Sequence, residues 1–250
     1  MKSMRNAGML GALAALSLFA PSTHAYEHEL WLKAQLRIGE DGQVQQLEWQ
    51  GLGDASRLIT ERLEPMIESW AFEPGRIDGA PAVTDTFLTL QVLGDEHDDG
   101  SVALSLGRVR TGALLATVTP PRFPMRDARN GNSAHLVATL DIAADGRITV
   151  ADVKVEATRA GGGERFVEAL KEVAVQWTPT LERVGGVPVA TRMEIPVQFC
   201  GPGDMGWCAK FERERTERLR TQDVPSTPAS EAIALDSAVK LLTPVRGQRI

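Results

Sequence analysis

Hydrophobic and polar positions alternate in ELWLKAQLRI (Glu29–Ile38). Leu30, Leu32, Ala34, Leu36 and Ile38 fall on one side, Trp31, Lys33, Gln35 and Arg37 on the other. A period of two predicts a half-buried strand. EDGQ is a tight Asp-Gly turn, and VQQLEW predicts a second strand. Asp54 or Ser56 is placed to cap a helix. The period then lengthens, and Ile59, Leu63, Met66, Ile67 and Trp70 share one helical face. Pro65 inside that run predicts a kink or the start of a second short helix, because its ring cannot donate the ladder hydrogen bond. After Pro74 and a DGAP turn, Ala82–Leu93 predicts a third strand.

The same order returns further along the chain. AHLVATLDI (Ala134–Ile142) predicts a strand, AADG a turn, and RITVADVKVEA a strand whose register shifts near Ala151, as at a bulge. ERFVEALKEVAVQW predicts a helix with Phe166, Leu170, Val173, Ala174 and Trp177 on one face. ERVGGVP is a turn, and Val189–Phe199 a strand. Asp41-Gly42 answers Asp145-Gly146, Trp70 answers Trp177, and Gly79 with Pro81 answers Gly186 with Pro188. This is an internal duplication. The fold class it predicts is α+β: two domains, each a small antiparallel sheet carrying one main helix.

The segments are read as a leader over 1–25, a first domain over 26–93, an acidic linker with connecting strand or strands over 94–117, a second domain over 118–208, and a charged helix with a polar tail over 209–250. Within the tail, EAIALDSAVKLLTPV predicts a short docking helix or strand, and the last residues are expected to be loose. The leader carries Lys2 and Arg5, then the apolar run Ala7–Ala20, then small residues at Thr23 and Ala25. That is the pattern of a cleaved secretory signal, with an uncleaved anchor as the alternative. No later stretch is apolar enough to span a bilayer. The formal charge of −6 becomes more negative once the two basic leader residues are removed. This argues against nucleic acid or anionic lipid as the main partner. In an oxidising compartment the close pair Cys200 and Cys208 reads most simply as one disulfide, contributing roughly 2–3 kcal/mol.

The run PPRFP, then LDIAADGRI, the helix ending at Trp177, GGVPV and IPVQF resembles the C-terminal domain of TonB, the periplasmic energy transducer of Gram-negative bacteria. LRIGEDGQV and SWAFEPGRIDGAPAV resemble it again in the first copy. The resemblance implies a periplasmic, non-enzymatic module. It would bind a protein partner, such as a segment of an outer-membrane receptor, by pairing with it as an added strand. The resemblance also implies that Arg122, Phe123 and Pro124 touch that partner. The alternatives are a passive envelope component whose copies pack on each other or on a second chain as a homodimer, and an anchored energy transducer if the N-terminus is retained. The first copy has no PRFP-like lead-in, and the chain has no long Pro-rich spacer. The candidate edges for pairing are Ala82–Leu93 and Val189–Phe199, the second blunted on one side by Pro196.

No cofactor and no metal is expected. GLGDAS lacks the third glycine and the parallel context of a dinucleotide site. DEHDDG places Leu106 where a calcium loop needs its bidentate glutamate. The four histidines are scattered, and no nucleophile–base motif is present. Trp70 and Trp177 read as core residues.

Overall fold

The computed structural model describes residues 28–51, 54–221 and 232–250; the leader expected over 1–25 lies outside them. The fold is mixed α+β, with mostly antiparallel strands and few helices.

In the first half, β1 (His28–Ile38) turns through Asp41-Gly42 into β2 (Val44–Gln50). Gly42 holds φ at +79°, a left-handed conformation that side chains resist. α1 (Asp54–Glu68) follows as one helix. Pro65 does not divide it, and lies on the exposed side near the C-terminal end of the helix. Ser56 lies inside the first turn and so is not the cap. Next come β3 (Phe72–Glu73), the small hairpin β4 (Arg76–Ile77) and β5 (Ala80–Pro81), and β6 (Thr84–Glu96). β1 pairs with β2 on one side and along its whole length with β6 on the other. Alternation therefore sends Leu32, Leu36, Ile38, Leu88 and Leu90 to one face, where Leu63, Ile67 and Trp70 pack from α1 and its end. Each such side chain contributes about 1.5–3 kcal/mol by leaving water.

The connecting region is two strands, β7 (Val102–Thr111) and β8 (Leu114–Thr117). β7 pairs with β6. The second half then repeats the plan. A short α2 (Met125–Arg129) leads into β9 (Ser133–Ile142), β10 (Ile148–Arg159), α3 (Glu164–Ala174), β11 (Thr178–Thr180), the hairpin β12 (Arg183–Val184) and β13 (Val187–Pro188), and β14 (Thr191–Phe199). β9 is central, between β10 and β14. The register of β10 shifts between Val150 and Asp152, at the expected bulge, and again between Val155 and Ala157. Phe166, Leu170 and Ala174 recur one turn apart and are the buried face of α3.

The halves agree in small details. Asp41 Oδ1 accepts Gln43 N–H at 3.1 Å, and Asp145 Oδ1 accepts Arg147 N–H at 3.0 Å. Arg76 Nη1 donates to Gly79 O at 3.0 Å, and Arg183 Nη1 to Gly186 O at 2.9 Å. They are also joined. β12 adds to β6 through Arg183 opposite Asp85 and Val184 opposite Thr84, and Gly185 N–H donates to Val83 O at 2.8 Å.

α4 (Met205–Thr221) begins before Cys208, earlier than the charge pattern suggested, and Cys200 and Cys208 are bonded with Cα atoms 6.2 Å apart. Beyond it, β15 (Ile233–Ala234) and β16 (Lys240–Leu241) belong to a C-terminal strap over 232–250. The end of this strap is not loose. Val239 and Val245 are buried in the first core, β16 pairs with β3, and Ile250 N–H donates to Leu104 O at 3.0 Å. In the first half β16 is the strand that pairs with β3, and among the described residues no strand before β1 does so. In the second half β8 does that for β11.

Candidate functional site

β2 and β10 are outer strands of the two sheets, and the last strands of the two halves, β6 and β14, are used differently. β6 is enclosed: β1 lies on one side, and β12 and β7 share the other. The expectation that Ala82–Leu93 is an edge is therefore corrected, because the second half and the connecting strand consume it. β14 pairs with β9 on one side. On the other, among the described residues, it meets only β15, through Met193 opposite Ala234 and Glu194 opposite Ile233.

The direction of the outer groups follows from one bond. Leu235 N–H donates to Arg192 O at 2.8 Å, so Arg192 faces outward. Backbone groups alternate along a strand, so Glu194, Pro196 and Gln198 face outward too. Past Glu194 no strand pairs with this side among the described residues. Pro196 offers a carbonyl there and no N–H, which limits indiscriminate pairing. Gln198 offers both groups. The stretch whose outer side lacks a described ladder partner thus runs from Pro196 to Phe199, though the Pro196 and Phe199 side chains are buried.

The lead-in residues flank this second sheet. Arg122 is exposed and Pro124 is the N-cap of α2. Phe123 is half-buried and packs edge-on against Phe166 and Phe199, with centroids 5.5 and 5.8 Å away. Through Phe199 it touches the end of β14. Asp127 fixes this element from below. It is fully buried and accepts Arg165 Nε at 2.6 Å and Asn132 Nδ2 at 2.8 Å. The Arg165 hydrogen bond, aided by that of Asn132, holds its carboxyl below the usual range.

At the same end of this stretch, α4 is pinned by the Cys200–Cys208 bond, with Trp207 and Phe211 over His135 at centroid distances of 5.1 and 4.0 Å. Burial, and to a lesser degree the charge of Arg215, push the His135 imidazole down to about 4. Asp204 is buried below the helix, accepts Ser133 Oγ at 2.8 Å and is paired with Arg159.

At the start of β14 a cleft of about 380 Å³ opens between the β9–β10 turn and the strap, lined by Asp141, Arg147, Thr149, Arg192 and Asp236 among others. Asp141 and Arg192 pair at 2.6 Å, which holds the Asp141 carboxyl low. Among the described residues no helix is long and apolar enough to cross a membrane, and no group of three or more His, Cys, Asp or Glu converges as metal ligands do. The docking helix or strand expected in EAIALDSAVKLLTPV is two short strands, Ile233–Ala234 and Lys240–Leu241. Sequence reasoning missed the buried Glu182, which nothing in ERVGG marked. Compared with family models the chain matches none, and a search of curated proteins finds no match either.

Proposed function

We propose that the chain is a non-enzymatic periplasmic interaction module built from two TonB-C-like copies, and that it takes an extended segment of a protein partner onto β14 by strand addition. The observation that carries this reading is the outer side of β14 from Pro196 onward, unpaired by any described strand while the matching side of β6 lies under β7. Main-chain bonds to Pro196 O and Gln198 would supply affinity, and alternate side chains selectivity. A segment of an outer-membrane receptor is the partner that the resemblance suggests, with Arg122, Phe123 and Pro124 beside it.

The test is a photo-crosslinker at Gln198, compared with one at exposed Gln46 on β2, in cells that export the protein. Capture of a discrete partner at Gln198 alone is expected. Equal yields at both positions, or none at Gln198, would refute strand addition there. A second reading, a passive envelope component, draws on a different observation: β6 is consumed within the molecule and the strap closes the first half. N-terminal sequencing of the exported chain decides whether an anchored transducer re-enters.

A further inference from the structure

The head of β14 holds an arrangement that ordinary strand pairing does not require. Arg192 N–H faces outward, where a neighbouring strand would offer a carbonyl. Here the acceptor is a side chain: Asp236 Oδ1 takes Arg192 N–H at 2.7 Å. The same oxygen accepts Thr191 Oγ1 at 2.7 Å. Bonds to an ionised acceptor are the stronger kind, so two donors converge on one carboxylate. The guanidinium of Arg192 lies in the adjoining cleft, and the charge of Asp236 is among those that raise its pKa.

We propose that the head of β14 is a carboxylate-reading strand site, occupied in cis by the chain's own Ala232–Asp236 and opened by exchange to an extended partner segment bearing an aspartate at the matching position. This rests on the strand-addition reading and adds what the partner must look like. Ala234 lies against Gly112, where even one added carbon would stand 2.5 Å from the Ala234 Cβ. That position therefore takes a small side chain. Ala232 packs at the second core, and Leu235 is 51% exposed, so the residue before the aspartate is little constrained. The pattern is small, aliphatic, small, variable, aspartate. Beyond the aspartate, the cleft with Arg147 and Arg192 admits the continuation of a partner chain.

Exchange does not require the first half to open. The cis grip is two ladder pairs, one further backbone bond and the Asp236 contacts. The strap beyond it is anchored separately. Ser237 Oγ and Ala238 N–H each donate to Glu182 at 2.8 Å, and Val239 is buried. Covalent attachment gives the cis segment a high effective concentration, so a partner in trans binds weakly until that grip loosens.

The probe is a fluorescein-labelled peptide, Ala-Ile-Ala-Leu-Asp-Ser, with an otherwise identical peptide carrying Asn for Asp. Both are titrated by anisotropy into the full chain and its Asp236→Ala variant, with amide exchange reporting whether 232–236 is released. Leu235→Pro, which removes the donor to Arg192 O at an exposed position, serves if Asp236→Ala does not fold. The Asp peptide should bind the variant about tenfold or more tighter than the parent chain. The Asn peptide should bind about tenfold weaker than the Asp peptide. Equal binding of the two peptides, or equal binding by parent and a released variant, overturns the carboxylate site and leaves strand addition at Gln198 standing. No binding of either peptide to a released variant, together with no capture at Gln198, overturns both.

Discussion

The two halves share a plan and differ in how far each is closed. In the first, β6 is covered along its outer side by β12 and β7, and the strap supplies the partner of β3. In the second, β8 supplies the partner of β11, and among the described residues β14 is covered only at its head. The last strand of one half is thus buried inside the molecule, while that of the other has described neighbours on its outer side only at its head. The closure has a cost. Trp177 Nε1 donates to Thr119 O at 2.8 Å, whereas the buried Nε1 of Trp70 finds no acceptor among the described residues. The strap fills the place of a lead-in strand without reproducing its carbonyl.

The largest test of this comparison removes the residue that ties the halves together. Glu182 is buried and accepts Thr86 Oγ1 at 2.5 Å as well as Ser237 and Ala238 from the strap. Glu182→Ala strands three donors and should lower the unfolding free energy by about 3 kcal/mol, measured in urea. The first half should loosen more than the second, which amide exchange would resolve.

Next comes the pH dependence of the second half. His135 is held near 4 against an ordinary 6.5. Between those values the folded chain binds fewer protons than the unfolded one, so stability falls as pH drops through this window. The acid loss should centre on α4 and β9, and His135→Gln should flatten it in urea midpoints taken across that range.

A smaller effect separates the two tryptophans. Trp→Phe removes similar volume at each site, but only Trp177→Phe breaks a hydrogen bond. It should cost about 1 kcal/mol more than Trp70→Phe in thermal unfolding. The smallest effect concerns two exposed ion pairs at matching positions with their signs reversed. Arg37 pairs with Asp85 at 2.8 Å, and Asp141 with Arg192 at 2.6 Å. Reversing either residue of the Arg37–Asp85 pair should lower the melting temperature slightly, and reversing both should restore it.

Much of the first level of this fold was legible. The period of two in Leu30–Ile38 and the helical face through Leu63, Ile67 and Trp70 report burial on one side, and the structure buries those faces. Ala151 announced its bulge because it breaks alternation. The closure was not legible, because it depends on which strand meets which across long separations. Nothing local in Thr84–Glu96 says that β7 and β12 cover it. The fate of the last residues turned on a distant strand, β3, with which β16 pairs. Cys200 and Cys208 were paired by proximity alone, but the Gly-Pro-rich spacer hid a helix start at Met205. For Phe123 the sequence left partner contact and plain packing open, and its packing on Phe166 and Phe199 makes it a support of β14.

Amide exchange at one position on each of β6 and β14 tests the asymmetry most directly. Thr89 on β6 faces β7, opposite Arg110, and Gln198 sits toward the end of β14 with its N–H outward. The account predicts that Thr89 is protected by the stability of the whole fold, while Gln198 exchanges orders of magnitude faster and slows only when a partner segment is added. A Gln198 amide as protected as Thr89 in the isolated protein would mean that this edge is already covered.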